Sequence, residues 1–495
     1  MKKIAIRILA LMLAVLTVAA CFVSCADTGD DDKATSTTAD TGAAESEDAT
    51  YDRAHTPDNL PELDYDGKTI RIAHGSYTIQ KQEADPERDQ DPVNVAVYER
   101  NVIVAERLHI TFEFNSLGDS ATLPDALNRS ITAGSDDYDL AFCYQWQLLP
   151  QTLKNMYLDL NENEYIDTDQ PWWWSDYINE LKIGQNSCYV LNGDVCLSSI
   201  KYISAMFFNK DKMLKYNVDA DTVYQTVLNG DWTYDLFNEW LAMGYVDANG
   251  DGKRDVDDEY GAFLRPSTEP DHFTYTAGNR MNERDEEGYP VLTVDTEYFA
   301  NYIAYLVNMY YQNAGIYIDA NFTLPRDQLF ADGKCLFHAT QLGSADNLRD
   351  MKDLYGIIPY PKWDKNQKEY GALVHDTCTL IAIPTTTKIY DAASATIEAM
   401  SAQSYRTVTP VYYELALKLK YVSDATTGII IDMIKNAART DFVYAYNYAL
   451  NGAGLLCRTM VINKNTNLAS EYKKIKRSAE KYLNKMIVDY EKRVG

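Results

Sequence analysis

KTIRIAH, at residues 68–74, opens the stretch of sequence that decides the fold. Two more strand-like segments follow it, ITFEF at 110–114 and YDLAFC at 138–143. The segments between them, 94–108 and 125–133, mix apolar and charged residues as amphipathic helices do. The order β-α-β-α-β predicts a parallel, doubly wound sheet.

Ligands of such sheets bind outside the carboxyl ends of the strands. Side chains that follow the first and third strands are therefore candidate ligand contacts. They are His74, Ser76, Tyr77, Tyr144, Gln145 and Trp146.

In the remainder of the chain, the predicted secondary structure changes from helical to strand-like and back to helical. Residues 210–330 are helical and rich in loops, and strand-like sequence returns at 335–339, 355–358 and 378–383. The last hundred residues are again helical. Sheet-forming segments on both sides of a long helical insertion predict two α/β lobes that one chain crosses several times.

The N-terminus has the layout of a secretory signal. A basic start at Lys2, Lys3 and Arg7 precedes an uncharged run from Ile8 to Ser24, which is short for a membrane span. The small residues before two cysteines are typical of a bacterial lipobox. We therefore expect residues 1–24 to be a signal peptide, with lipid on Cys25 or Cys21; the alternative is an ordinary cleaved signal.

We predict that residues 25–60 form a disordered acidic tether, because residues 27–50 contain no large apolar residue that could offset the entropy of ordering. The whole chain has a formal net charge of −27. Loss of the signal removes three basic residues and no acidic ones, so the exported form carries −30. So acidic a surface repels phosphate backbones and argues against a nucleic-acid partner.

Six cysteines lie beyond the lipobox, without the short spacings of a metal site. Most of them flank residues typical of buried strands, so we expect buried free thiols, with pairing as the alternative.

Residues 247–258, DANGDGKRDVDD, match a calcium-binding loop. Oxygen donors recur at the spacing that calcium needs, and Gly252 stands where the loop must turn sharply. The predicted ligands are Asp247, Asn249, Asp251, the Lys253 carbonyl, Asp255 and Asp258. Asp258 replaces the usual bidentate Glu, which favours weak structural binding; the alternative is an acidic turn without metal.

Aromatic residues supply a further candidate. Trp172, Trp173 and Trp174 are consecutive, so they cannot share one face, and we assign one candidate stacking role, to Trp173. Nucleophile elbows, P-loops, dinucleotide glycines and HExxH runs are absent from the sequence, so we expect no enzyme. A glycosidase-type carboxylate pair stays open.

Short motifs along the chain resemble the substrate-binding lipoproteins of bacterial ABC importers, of the maltose-binding-protein class. The motifs are KTIRIAH at 68–74, VYERN at 97–101, YDLAF at 138–142, PWW at 171–173, FFNKD at 207–211, WTYD at 232–235 and FADGK at 330–334. They follow the order of that family and cover nearly the whole exported chain.

The resemblance implies a two-lobed periplasmic-binding-protein fold of type II, with hinge strands that cross between the lobes. Lobe 1 would comprise residues 61–203 and 336–377, and lobe 2 residues 204–335 and 378–495. Crossings would lie near 202–208, 334–341 and 374–383. The family's site positions add Tyr202, Gln341 and Asp376, with Phe273, Tyr275 and Asn279 in a loop of lobe 2.

The implied function is capture of a carbohydrate, an oligosaccharide by expectation, through hinge closure and its delivery to an ABC permease. We expect a monomer, anchored by lipid on the extracytoplasmic face of the bacterial membrane. A peptide-binding lipoprotein, a surface glycoside hydrolase and an adhesin are the alternatives. CYQW at 143–146 departs from the family's sugar binders, in which charged residues often follow this strand.

Overall fold

A computed structural model describes residues 53–494, apart from 59, 77–81, 88, 120–121, 295 and 414–424. The lipobox cysteines, and most of the predicted tether, therefore lie outside the described residues. The strands, in chain order, are β1 (Lys68–His74), β2 (Ile110–Ser116), β3 (Leu140–Tyr144), β4 (Ser204–Asn209), β5 (Tyr260–Leu264), β6 (Asn282–Arg284), β7 (Pro290–Leu292), β8 (Ile316–Ile318), β9 (Cys335–Gln341), β10 (Tyr355–Ile358), β11 (Ala372–Leu373), β12 (Thr379–Ala382) and β13 (Ala438–Arg439).

The described residues also form helices. They are α1 (Pro92–Leu108), α2 (Leu123–Thr132), α3 (Gln145–Thr152), α4 (Ser175–Leu181), α5 (Leu197–Lys201), α6 (Lys210–Leu214), α7 (Ala220–Leu228), α8 (Tyr234–Met243), α9 (Glu269–Thr276), α10 (Glu297–Gln312), α11 (Arg326–Ala331), α12 (Tyr390–Gln403), α13 (Ala425–Asn436), α14 (Phe442–Ala445), α15 (Leu456–Ile462) and α16 (Leu468–Val494). A π-helical segment, Ser404–Val408, and a short turn, Thr409–Val411, continue α12.

The first sheet has the strand order β12-β3-β1-β2. Its strands β2, β1 and β3 run parallel, as the β-α-β-α-β pattern predicts, and β12 adds an antiparallel edge. Helix α1 begins where Asp91 caps its first turn by accepting a hydrogen bond from the Val93 amide at 2.9 Å.

The second sheet has the order β10-β4-β9-β5-β8. Strands β9 and β8 flank β5 in parallel, whereas β4 runs antiparallel to both β9 and β10. The aromatic residues Trp232, Phe237 and Phe337 have no exposed surface, and their rings pack 5.5–5.7 Å apart at the core of this half.

Two predicted boundaries are wrong because of these pairings. Residues 336–341 lie in β9, in the middle of the second sheet, although they were predicted to belong to lobe 1 and to form a crossing. Residues 379–382, predicted for lobe 2, form the edge strand β12 of the first sheet. The chain passes between the sheets just before β4 and again between β11 and β12, where Ile203 and Val374 form a β-bridge.

The described cysteines and two of the consecutive tryptophans lie in the protein interior. All six described cysteines are free and buried, as predicted. The indole nitrogens of Trp172 and Trp173 donate to Glu398 of α12 at 2.9 and 2.8 Å, and all three side chains are buried. None of the described helices combines the length and the apolar composition that crossing a bilayer requires.

Candidate ligand-binding site

Five polar and aromatic side chains form a continuous network where the chain passes between the two sheets. Tyr144 hydrogen-bonds with Tyr202, whose ring lies 6.1 Å from that of His375. The His375 ring stacks on His272 at 5.7 Å, and the Gln341 amide donates to His272 Nε2 at 3.0 Å. We call Tyr144, Tyr202, His272, Gln341 and His375 the central network.

Different elements supply each member of the central network. Tyr144 ends β3 of the first sheet, and Gln341 ends β9 of the second. Tyr202 caps the carboxyl end of α5, and its carbonyl accepts the His375 amide at 3.1 Å. Because these residues come from the ends of elements that belong to both sheets, a change in the angle between the sheets would alter the network.

His272 is buried and His375 is largely buried, and desolvation lowers the pKa of both histidines. The pKa of His272 lies well below its ordinary value, because desolvation penalises the cation and His375 adds repulsion. For His375, burial outweighs the attraction of Asp376, whose Oδ1 lies 3.2 Å from His375 Nδ1. At neutral pH, both imidazoles therefore act as neutral hydrogen-bonding groups.

Asp376 links the central network to an aromatic pair. Its carbonyl accepts the Trp146 amide at 3.3 Å, and its own amide donates to the Tyr444 hydroxyl at 3.3 Å. The Trp146 ring packs against Tyr448 at 5.4 Å, and Tyr448 is 61% exposed. The side chain of Asp376 is about one seventh exposed, so a solute can reach its carboxylate as a hydrogen-bond acceptor.

A buried ion pair lies close to this aromatic pair. Arg458 of α15 contacts the carboxylate of Asp271 on α9, and Asp271 has almost no exposed surface. Burial raises the pKa of Asp271 to about 7, whereas the Arg458 guanidinium opposes that rise. Arg458 Nε is buried and has no hydrogen-bond partner within the described part of the chain.

A polar cavity of about 560 Å³ opens beside Tyr202 and Gln341. Pockets that bind small molecules usually measure about 300–1,000 Å³. Its wall offers neutral hydrogen-bonding groups, from Gln328, Thr340, Ser344 and Asn347. It also contains one carboxylate, Asp327, and three cations, Lys201, Arg265 and Arg326.

The three cations of the polar cavity are already paired with carboxylates. Lys201 contacts Asp346 at 2.8 Å, and Arg265 contacts Asp319 at 2.9 Å. Arg326 contacts Glu269 at 2.8 Å. Because these charges are compensated within the protein, the wall suits a neutral, polyhydroxylated solute better than an anion.

The structure brings together five of the sequence-predicted site residues: Tyr144, Trp146, Tyr202, Gln341 and Asp376. Tyr275, also predicted, is half-buried and packs its ring on Tyr444 at 5.3 Å. His74 ends β1 and Ser76 follows it, at the same edge of the first sheet as Tyr144. Ser76 is exposed, while His74 is buried with Nδ1 beside the Gly75 carbonyl. Tyr77 lies outside the described residues.

The structure argues against three predicted ligand contacts, because their side chains are enclosed by protein. Phe273 has no exposed surface and packs between Tyr234 and Tyr360. Trp173 donates to Glu398 within the core, and the Gln145 side chain is fully buried, where it accepts the Tyr177 hydroxyl. Asn279 is 2% exposed, which argues against its predicted role as well.

Several site residues were missed in the sequence. They are His272, Tyr444, Tyr448, Arg458, Arg265 and Arg326. No local motif marks them, because they lie in helices and loops that reach the site only through tertiary packing. The single available signal was the Tyr-rich stretch 442–448, FVYAYNY.

The predicted calcium loop has the conformation of a tight turn. Gly250 and Gly252 adopt φ of 73° and 75°, which only glycine adopts without strain. The Asp247 carboxylate accepts the amides of both glycines, at 2.7 and 3.0 Å. Asp258 is fully buried and accepts the Ala248 amide at 3.1 Å.

The donor set of this loop consists of hard oxygens, which fit calcium. Across the described residues, however, no group of three His, Cys, Asp or Glu side chains is gathered closely enough to hold a metal. Calcium binding by Asp247, Asn249, Asp251, Lys253, Asp255 and Asp258 therefore stays a prediction.

No protein-family model and no curated protein sequence matches the chain. Its structure is nevertheless similar to solved solute-binding proteins. An ABC transporter solute-binding protein from Thermotoga lettingae, bound with α-D-tagatose, is 14% identical, with a TM-score of 0.55 over 85% of this chain and 100% of that chain.

Two further structures are similar over the same share of this chain. The ABC substrate-binding protein from Listeria monocytogenes in complex with cycloalternan is 13% identical, with a TM-score of 0.55 and 99% of that chain covered. UgpB from Mycobacterium tuberculosis, in complex with glycerophosphocholine, is 11% identical, with a TM-score of 0.56 and 100% covered. The chain therefore has the two-lobed α/β fold of the maltose-type solute-binding proteins, as predicted.

Proposed function

We propose that this protein is the extracytoplasmic solute-binding component of an ABC importer and that its solute is a carbohydrate. The fold supports the first part, because the similar structures are solute-binding proteins. The polar cavity beside Tyr202 and Gln341 supports the second part. Its three cations are paired with carboxylates, its Asp327 carboxylate is hydrogen-bonded to His338 and Asn347, and its other polar side chains are neutral.

A sugar matches this wall in two ways. Its hydroxyls both donate and accept hydrogen bonds, as do the side chains of Gln341, Thr340 and Ser344. Its C–H faces pack on aromatic rings, and Trp146 and Tyr448 offer ring surface next to the Asp376 carboxylate. Aromatic surface with a few hydrogen-bonding groups is the composition of most small-molecule sites.

Hinge closure is the mechanism that this arrangement supports. Tyr144 belongs to the first sheet, Gln341 belongs to the second, and Arg265 directly follows β5 of the second sheet. A solute that contacts both halves binds the closed conformation more tightly than the open one and so shifts the population towards closure. The permease then distinguishes the loaded protein by its closed conformation.

The proposed location is the outer face of the bacterial membrane, with lipid on Cys25 or Cys21. The support for it is sequence alone: a basic, apolar N-terminal signal that ends at these cysteines. Metabolic labelling with a fatty-acid analogue tests it. Label should be incorporated by the wild type and lost in the Cys21→Ala/Cys25→Ala variant; a wild type without label would contradict the anchor.

Calcium, if bound by the loop at 247–258, would have a structural role. The side-chain oxygens of Asp247, Asn249 and Asp251, with the Lys253 carbonyl, would hold it. Its charge would offset the mutual repulsion of the carboxylates and stabilise the turn.

The direct test is a thermal-shift screen of the purified protein against mono- and oligosaccharides and short peptides, with product analysis of every positive. We expect a carbohydrate to raise the melting temperature and to be recovered unchanged. Cleavage products would identify a glycoside hydrolase, and stabilisation by peptides alone would identify a peptide-binding protein. No stabilisation by any solute would favour an adhesin, and each of these three outcomes contradicts the proposal.

A further inference from the structure

The C-terminal helix α16 has a charge opposite to that of the remaining chain. It contains eight Lys and Arg residues and four Asp and Glu residues, a net charge of +4. The other 468 residues therefore carry −31 of the total of −27. The net charge of the whole chain therefore does not reveal that this helix is basic.

The basic residues of α16 lie mainly on its outward face. Lys473, Arg477, Lys481 and Lys485 recur every four residues, a spacing that places them on one side of an α-helix. Lys474 and Lys492 flank this row, and all six are exposed. We call these six residues the basic face. The opposite side is buried against the protein by Tyr472, Ala479, Leu483, Met486 and Tyr490.

The centre of the basic face is not compensated. Lys474, Lys485 and Lys492 pair with Glu471 or Asp489 of the same helix. By contrast, Lys473, Arg477 and Lys481 make no ion pair with any described residue. Two acidic residues of α16 are exposed on the outward side, Glu480 and Glu491, and Glu480 Oε1 lies 3.9 Å from Lys476 Nζ. Three adjacent cations are thus available to a partner.

Apolar groups adjoin the basic face. Tyr482 and Val488 of α16 are 43% and 44% exposed. Tyr482 also lines a mostly apolar cavity of about 340 Å³ between α16 and the first half of the molecule. Pro150, Leu153, Ile183 and Met486 also line this cavity, as does Lys485 of the basic face. Cations beside accessible apolar surface are the composition of interfacial helices.

We propose that the basic face of α16 binds the surface of an anionic phospholipid bilayer. The helix is about 40 Å long at ~1.5 Å per residue, so it presents its cations along a line that a flat surface can contact. Charges more than about 8–10 Å away are screened at physiological ionic strength, so the acidic remainder of the chain does not cancel the local attraction. Each Lys or Arg near such a surface contributes about 1 kcal/mol.

Vesicle co-sedimentation tests this proposal. Residues 52–495 form one compact unit, so removal of the first 25 residues leaves the folded body intact and free of lipid. We expect this protein to sediment with vesicles of 30% phosphatidylglycerol in phosphatidylcholine and to remain in solution with phosphatidylcholine alone. The variant Lys473→Glu/Arg477→Glu/Lys481→Glu should bind the anionic vesicles at least about 100-fold more weakly.

The matched control is Lys352→Glu/Lys368→Glu/Lys388→Glu, which changes the net charge equally at exposed lysines of other elements. It should bind anionic vesicles like the wild type, and both variants should keep the wild-type melting temperature within about 2 °C. Equal weakening by both triple variants would show a nonspecific charge effect and overturn the proposal. Absence of vesicle binding, or capture only by vesicles that contain a permease, would also overturn it.

Discussion

Trp146 and Tyr448 pack ring against ring, with centroids 5.4 Å apart and planes at 39°, although they come from distant parts of the chain. The Trp146 backbone is held by the Asp376 carbonyl, and Tyr448 lies within electrostatic range of Asp376. Since Tyr448 is 61% exposed, ring surface faces solvent next to a carboxylate. This pairing joins the start of α3 to the segment after α14 and forms an aromatic border of the proposed site.

Trp146→Ala should weaken carbohydrate binding by about 1 kcal/mol, roughly fivefold, because a sugar loses a stacking surface. Tyr448→Ala should have a similar effect. Titration calorimetry with the best carbohydrate of the screen measures both. Tyr98→Ala, which removes an exposed ring from α1, is the control and should leave the affinity unchanged. Full affinity in both site variants would exclude the aromatic pair from the site.

Asp376→Asn should weaken the same carbohydrate by about 1.5–3 kcal/mol, or 10- to 150-fold, because hydrogen bonds to a charged acceptor are the stronger ones. Asp221→Asn, at an exposed position of α7, removes an equal charge and should change nothing. An affinity that falls equally in both variants would attribute the effect to net charge instead of to the site.

The sequence predicts the elements of this fold better than their assignment to lobes. Strand β1 was predicted to the residue, and β10 likewise, because alternating or continuous apolar runs end at turn residues there. Strands β9 and β12 were recognised as strands, but each was assigned to the wrong lobe. Their partners, β4 and β3, are distant in sequence, and no local pattern encodes such pairings.

The sequence placed residues at the candidate site where backbone topology decides their position, and it did not determine the direction of their side chains. Tyr144 and Trp146 follow a strand end and reach the site. Gln145, between them, points into the core, because α3 begins at Gln145 and successive residues of a helix point in different directions. Trp173 and Phe273 were predicted to contact ligand because they are aromatic, but both pack within the core, which also contains many aromatic side chains.

The buried carboxyl of Glu398 predicts a pH dependence of stability. Burial raises the pKa of Glu398 to about 8, although the hydrogen bonds that Trp173 and Trp172 donate to its carboxylate oppose that rise. Between pH 4.5 and 8, the folded carboxyl keeps a proton that the unfolded one releases, so this residue lowers the free energy of unfolding as pH rises. One such proton contributes at most about 1.4 kcal/mol per pH unit.

Urea unfolding at several pH values, for the wild type and Glu398→Gln, measures this contribution. The variant will be less stable overall, because its amide cannot accept from both indoles. Its stability should nevertheless fall less steeply than that of the wild type between pH 5 and 8. Parallel pH profiles would show that Glu398 is ionised in the folded protein throughout.

Calcium should stabilise the protein if the loop at 247–258 binds it. A site with a dissociation constant of about 10⁻⁴–10⁻³ M, at 10 mM calcium, adds about 1.4–2.7 kcal/mol. The melting temperature should rise relative to EDTA, and Asp247→Ala/Asp251→Ala should abolish that rise. An equal rise in the variant would place the calcium elsewhere.

The most direct test of the account is a crystal structure of the protein with the carbohydrate that stabilises it most. We predict an intact sugar that contacts Tyr202 and Gln341, reaches Asp376, and is enclosed by residues of both sheets. A sugar bound outside this region, or one that contacts a single lobe without closure, would contradict the proposal.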